Sequence, residues 1–168
     1  MRIIPLGPQK EPLLDPDLVW NGVHADLAQT SLADPENPGG LRAQEAIETA
    51  VLICLMTDRR ANPFELRDGD VNRGWPGDGF DIEPGETPLG SRLWLLQRRA
   101  LTSDIERLAE DYARVALQTL IDQRAFVRVD VTATADRPRN SLDLAIAGYG
   151  SDGTRTYDRK FAVLWDQL

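Results

Sequence analysis

The sequence predicts an α+β fold: an antiparallel sheet of C-terminal strands packed against two main helices, plus an N-terminal β-hairpin. Three observations carry that prediction. Apolar side chains recur at helical spacing along residues 43–55 and again along 105–121, alternate with period two from residue 127 onward, and flank an Asn-Gly pair at 21–22. Helices followed by a run of strands describe a domain whose sheet buries one face under the helices.

From the start of the chain, prolines at 5, 8, 12 and 16 make residues 1–17 an extended arm, since each fixes φ and removes an amide donor. In "LVWNGVHADLA", Asn21 and Gly22 both tolerate the positive φ of a two-residue type I′ turn. "LADPENPGG" (32–40) is a loop by composition. Residues 1–40 therefore read as an arm and hairpin, and 41–168 as a single α+β domain. From Leu41, the residues Ala43, Ala46, Ile47, Ala50, Val51, Cys54 and Leu55 make one helical stripe, widened by Leu52, Ile53 and Met56. This predicts a helix ending near Thr57 and buried on more than one side.

Residues 58–91 are rich in glycine and proline and show little periodicity; an irregular stretch of that length usually carries function or contacts. "RLWLL" then opens like a helix. The clearest element is "LTSDIERLAEDYARVALQTLIDQ", in which Ser103 and Glu106 fit a capping box. Ile105, Leu108, Ala109, Tyr112, Ala113, Ala116, Leu117, Leu120 and Ile121 follow as an unbroken stripe, with Glu110 and Arg114 paired on the outer face. In the first strand Val127, Val129 and Val131 face one way and Arg128, Asp130 and Thr132 the other. Leu142, Leu144 and Ile146 repeat the pattern, and a last strand includes "FAVLW".

Composition narrows the functions. At 168 residues the chain is long enough for a core without metal or disulfide support. A net charge of −8 argues against nucleic acid as the main partner, because phosphate binding needs a basic face. The longest purely apolar run, residues 50–56, falls far short of the ~20 residues of a membrane helix. The N-terminus lacks the apolar core and cleavage site of a secretion signal, so cytoplasmic synthesis is expected. All but Lys10 and Lys160 of the 19 basic residues are arginine, a bias that suits forked ion pairs and interfaces and equally follows from GC-rich coding. The single cysteine, Cys54, lies in "AVLICLM", the setting of a small buried hydrophobe. With one histidine, His24, and one cysteine, a usual zinc set cannot form.

The stretch "GWPGDGF" (74–80) invites closer chemistry. Gly74 and Gly79 have the glycine spacing of a phosphate-binding loop, but Phe80 and Asp81 stand where Lys and Ser or Thr are required. Asp68, Asp70 and Asn72 alternate like the start of a calcium loop, yet Arg73 and Gly79 occupy the places of its glycine and bidentate glutamate. No cofactor, metal or small-molecule ligand is expected. What remains is Trp75 on a Gly/Pro loop beside Arg73 and Asp78, the composition of a protein-binding hot spot; the alternative is that Trp75 folds back to plug its own domain. Trp94 and Trp165 lie in apolar surroundings and read as core.

"TAVLICLMTDRRA" (49–61), "RGWPGDGF" (73–80), "GSRLWLLQR" (90–98) and "YARVALQTLIDQRAFVRVDV" (112–131) occur in that order. Together they resemble the Mu-like phage tail baseplate protein family and, more distantly, the small lysozyme-like wedge subunit of contractile tails. The resemblance covers roughly residues 41–168. It implies a non-enzymatic structural subunit of a phage or prophage tail baseplate, joining hub and wedge proteins in the virion. A tail-associated lysozyme-like peptidoglycan hydrolase is the second reading. Carried over by motif, the interaction residues are Arg59, Arg60, Arg73, Trp75, Asp78, Ser91 and Arg92, in loop architecture and subunit contacts, with no catalytic residue to transfer. Pro76 stands where the family pattern has a second aromatic.

Overall fold

The computed structural model describes residues 16–164 apart from 36, 44, 81, 83–85 and 98. Strands β1 (Leu18–Trp20) and β2 (Ala25–Leu27) form the N-terminal hairpin, followed by helix α1 (Ala46–Met56). Three single-turn 3₁₀ helices, Pro63–Glu65, Pro76–Gly79 and Leu93–Leu96, punctuate the irregular segment and the approach to α2 (Ser103–Asp122). Strands β3 (Arg128–Asp136), β4 (Ser141–Tyr149) and β5 (Arg155–Leu164) close the chain as an antiparallel meander with β4 in the centre. The predicted α+β class, the sheet and the hairpin are all present. The arm up to residue 15, and Trp165, lie outside the described residues.

Pairing of Val131 with Ile146 and of Leu144 with Phe161 sets the sheet register. With side chains alternating across the sheet, this puts Val129, Val131 and Ala133 on the same face as Leu142, Leu144, Ile146, Tyr157, Phe161 and Val163. All of these are buried. Helix α2 packs there through its small residues Ala109, Ala113 and Ala116, with Ile105, Leu117 and Leu120 filling the flanks. Helix α1 packs on α2 and on β1, and a single apolar cluster runs through all three layers. Each fully buried leucine of that cluster (Leu52, Leu55, Leu96, Leu117, Leu142 and Leu144) contributes about 1.5–3 kcal/mol. At the far end Gly148 makes room for Phe126, since a Cβ there would lie 2.4 Å from the ring, and Phe126 in turn meets Tyr157 at a 5.8 Å centroid distance.

Several local expectations give way to tertiary partners. The hairpin loop spans four residues, not two: Trp20 pairs with Ala25, Asn21 N donates to His24 O, and Asn21 Oδ1 accepts from the amides of Val23 and His24. An asparagine side chain that satisfies two loop amides removes the need for the tight turn. Helix α1 begins at Ala46, not Leu41, because Arg42 belongs to backbone pairing with Ala28 and Asp17. The buried Asp17 carboxylate accepts from Arg42 Nε at 2.7 Å and from Glu45 N at 2.8 Å, at the head of that helix. Ile47 and Ile53 are exposed, so the α1 stripe is carried by Val51, Leu52, Cys54 and Leu55.

The capping box is also absent. Thr102 is the N-cap of α2, and Glu106 instead accepts from Ala135 N at 2.8 Å while Glu110 accepts from Ala133 N at 3.1 Å. Two carboxylates thus satisfy amides on the open edge of β3, which outcompetes a local cap. Val127 precedes β3 and is exposed, leaving Val129 and Val131 to face the core. "RLWLL" forms a single 3₁₀ turn in place of a longer helix, yet it buries Leu93, Trp94 and Leu96. Trp94 is therefore core, as its surroundings predict.

Candidate interaction surface

The segment from residue 58 to 91 leaves the core and returns to the same place. Asp58 bridges Ser91 in parallel; Ser91 N donates to Thr57 O and Arg59 N to Ser91 O, each at 2.8 Å. The buried Ser91 hydroxyl donates to Leu55 O at 2.5 Å, stitching this base to the end of α1. Gly90 makes the approach possible, with φ +96° and a position where a Cβ would lie 2.3 Å from Thr57 O. Trp94 Nε1 donates to Arg59 O at 2.9 Å and anchors the outgoing strand of the loop to the core.

Polar side chains hold the interior of the loop. The Asn72 amide brackets Ala61, accepting from its N at 2.9 Å and donating to its O at 3.0 Å. Asp70 accepts from Arg67 N at 2.8 Å. Asp70 and Asn72, read in sequence as possible calcium ligands, thus each bond to backbone of the loop. Arg92 Nη1 donates to both carboxylate oxygens of Glu65, at 2.8 and 3.0 Å, and the guanidinium lies 5.0 Å from the Tyr112 ring, tying the loop to α2. Burial works to raise the Glu65 carboxyl, but the Asn62 amide and Arg92 outweigh it and hold the group below its ordinary range. Asp58 is shifted the other way, raised by burial against the opposing pull of Arg73, whose Nη1 is 3.4 Å away.

Trp75 sits at the head of the 3₁₀ turn Pro76–Gly79, half-exposed, its ring against Gly77, where a Cβ would fall 2.2 Å from Nε1. The stem of Arg60 lies on Gly74 in the same way, at 2.3 Å from a hypothetical Cβ. Of the sequence candidates, Arg59, Arg60, Arg73 and Trp75 thus gather around this loop with solvent access. Asp78 turns inward to accept from Leu89 N at 3.1 Å, and Ser91 and Arg92 are engaged within the fold. Trp75 takes no place in the apolar core cluster, so it does not plug the domain.

Sequence reasoning passed over the loop's apolar residues. Phe64 is 96% exposed and Phe80 83%, and Val71 and Ile82 are exposed beside them in the chain. Single exposed apolar residues are ordinary; four of them, with Trp75, fall on this one irregular segment. Their signal in the sequence was apolar residues without periodic companions. Away from the loop, His24 bonds only to Asn21 of its own hairpin among the described residues, and burial pushes the Cys54 thiol up to about 11, where it stays protonated and inert. Among the described residues, no helix is long and apolar enough to cross a membrane.

Comparison with known proteins gives a consistent picture. The family model described as phage protein GP46 matches residues 47–155, well over half of the chain. The chain is 36% identical to the baseplate protein gp46 of Escherichia phage Mu over 110 residues, 64% of this chain and 68% of that protein. It is 32% identical to the Mu-like prophage FluMu protein gp46 of Haemophilus influenzae over 149 residues, 88% of this chain and 95% of that one. The span matched by the family model runs from the second residue of α1 through the whole loop with its base, α2, β3 and β4. The chain belongs to the Mu-like family of phage gp46 proteins, of which the Mu baseplate protein is a member.

Proposed function

We propose that this protein is a structural, non-enzymatic subunit of a phage or prophage tail baseplate, and that it joins hub and wedge neighbours in the virion through the 58–91 loop. The observation that carries the reading is the exposure of Phe64, Val71, Trp75 and Phe80 on a segment pinned at its base and braced by its own polar side chains. A loop whose polar side chains already bond within the fold presents apolar anchors at a reduced ordering cost, and each phenylalanine buried in a partner adds about 1.5–3 kcal/mol. In this reading Arg59, Arg60, Arg73 and Trp75 make contacts, while Asp78, Ser91 and Arg92 keep the loop in shape.

The test is co-expression with the hub and wedge proteins encoded alongside, followed by size-exclusion chromatography. A stable complex is expected, and Phe64→Ser with Phe80→Ser should dissolve it while leaving the melting temperature of the free chain unchanged. A chain that elutes alone in every combination would overturn the proposal.

A further inference from the structure

The turn of the N-terminal hairpin brings together a reactive set of groups. Asn21 is followed by Gly22, whose amide donates no hydrogen bond among the described residues. The Asn21 side chain is held from both ends. Its Oδ1 accepts from Val23 N at 2.9 Å and from His24 N at 3.0 Å. Its Nδ2 lies 3.0 Å from His24 Nε2 and 3.4 Å from His24 Nδ1. Two amide donors on one atom settle which end of the side chain is the oxygen. The bond from Val23 N closes a ring that runs through Asn21 Cγ and Gly22 N, folding the side-chain amide back over the following peptide. Gly22, at φ +103°, has no Cβ to obstruct that approach. Elsewhere, Asn37 and Asn62 precede prolines, which have no N–H, and the Asn72 side chain is held on Ala61 N and O.

Such a set suits an intramolecular acyl transfer. Donors aimed at a carbonyl oxygen polarise its carbon and stabilise the oxyanion that forms when a nucleophile adds. The nucleophile is Gly22 N, once its proton has gone to solvent base; it bonds to Asn21 Cγ and closes a succinimide ring. Collapse of the tetrahedral intermediate breaks the Cγ–Nδ2 bond, and the departing nitrogen takes a proton and leaves as ammonia. His24 is placed to supply that proton. A neutral imidazole has one acceptor and one donor nitrogen, and both lie within 3.4 Å of Nδ2. Water reaches the exposed Asn21 and opens the ring at Cγ to give aspartate, or at the main-chain carbonyl to give isoaspartate. One water is consumed, one ammonia is released, and no oxidation state changes. Aspartate keeps an acceptor for both turn amides. Isoaspartate adds a methylene to the main chain beside Trp20, which pairs with Ala25 and whose Nε1 donates to Ala162 O at 2.8 Å.

We propose that Asn21 is a self-modification site, converted to aspartate and isoaspartate by attack of Gly22 N. The amides of Val23 and His24 hold the oxyanion, and the His24 ring gives its proton to the leaving nitrogen. The full chain is incubated at neutral pH, folded or in urea, and mapped by peptide mass spectrometry with isoaspartyl methyltransferase labelling. Asn21 should convert faster in the folded chain than in urea, and ahead of Asn72 and Asn140. His24→Ala and His24→Gln should each slow the folded reaction about tenfold or more while leaving the rate in urea unchanged. Both should melt with the parent, because the His24 side chain is exposed and bonds only to Asn21 among the described residues, and the backbone amide that holds Oδ1 survives both changes. Conversion in urea as fast as in the folded chain would overturn the proposal. So would equal folded rates for the parent and either His24 variant, or a His24 effect that persists in urea, where the turn no longer positions the ring.

Discussion

Replacing Gly90 with alanine should test whether the loop is held at its base by close backbone contact. Two penalties meet at this position. A φ of +96° strains any side chain by ~1–3 kcal/mol, and the new Cβ would lie 2.3 Å from the backbone oxygen of Thr57, which cannot rotate away. Relief requires Thr57 and Ser91 to part, forfeiting the Ser91–Thr57 and Arg59–Ser91 hydrogen bonds at about 0.5–1.5 kcal/mol each. Reduced freedom of the unfolded chain returns only ~0.4–1 kcal/mol. The expected net loss is about 3 kcal/mol, or a fall in Tm of roughly 6–12 °C for a chain of this size. Gly69→Ala is the control: its φ is +88°, but nothing lies within 4 Å of its Cβ, so only the strain applies. Both variants are measured by urea denaturation at neutral pH. Equal losses for the two would refute the argument that Gly90 is required by the proximity of Thr57.

Other substitutions probe other parts of the fold. Asp17→Ala removes the buried acceptor of Arg42 and of the Glu45 amide, and should cost about 2–4 kcal/mol in denaturation experiments, held below the full buried-pair penalty by the partial exposure of Arg42. Glu65 has a folded pKa below its ordinary 4.5, so its stabilisation is complete above that pH and fades as the pH falls through the lower folded value; Glu65→Gln should flatten this part of the stability–pH profile. An unaltered acid slope would show that Glu65 is not responsible. Glu106→Ala with Glu110→Ala uncovers the amides of Ala135 and Ala133, and should both destabilise by about 1–2 kcal/mol per site and promote self-association in sedimentation velocity. A monomer of unchanged stability would contradict the role assigned to these carboxylates.

The elements legible in the sequence were those whose signal is local and repeated. The α2 stripe from Ile105 to Ile121 stands as read, because helical period and side-chain burial report the same geometry. Alternation in β3 likewise reports which residues face the core, Val129, Val131 and Ala133 being buried and Arg128, Asp130 and Thr132 exposed, whereas the central strand β4 is buried along nearly its whole length. Glu106 shows where such reasoning stops. Its distance from Ser103 matches a capping box, but the amide it accepts is 29 residues away on a strand edge, and no local pattern announces that competitor. Asn21 is similar on a smaller scale, since its side chain determines the turn length.

At the candidate site, the sequence pointed to the loop and to Trp75 through composition alone. It did not distinguish Phe64 and Phe80 from core phenylalanines, because exposure depends on the path of the chain between distant anchors. Nor could it separate Arg92, engaged with Glu65 and Tyr112, from Arg60 and Arg67, which lack an ion pair among the described residues. Pairing of charges is a tertiary property, and 27 acidic residues offered every arginine a nominal partner.

The joining of Asp58 to Ser91 has a consequence for how such a protein diversifies. A segment that departs and re-enters through one bridge asks of the core the geometry of its two ends and a few further contacts, those of Arg59 O with Trp94, Glu65 with Arg92 and Thr87 with Thr119. Lengthening it carries only a logarithmic entropic penalty. Related phages could therefore exchange or remodel the whole excursion to keep pace with a changing neighbour, as one replaces the head of a tool on an unchanged handle. Grafting the 59–90 segment between distant members of the family should transfer partner preference while the recipient's melting behaviour stays its own.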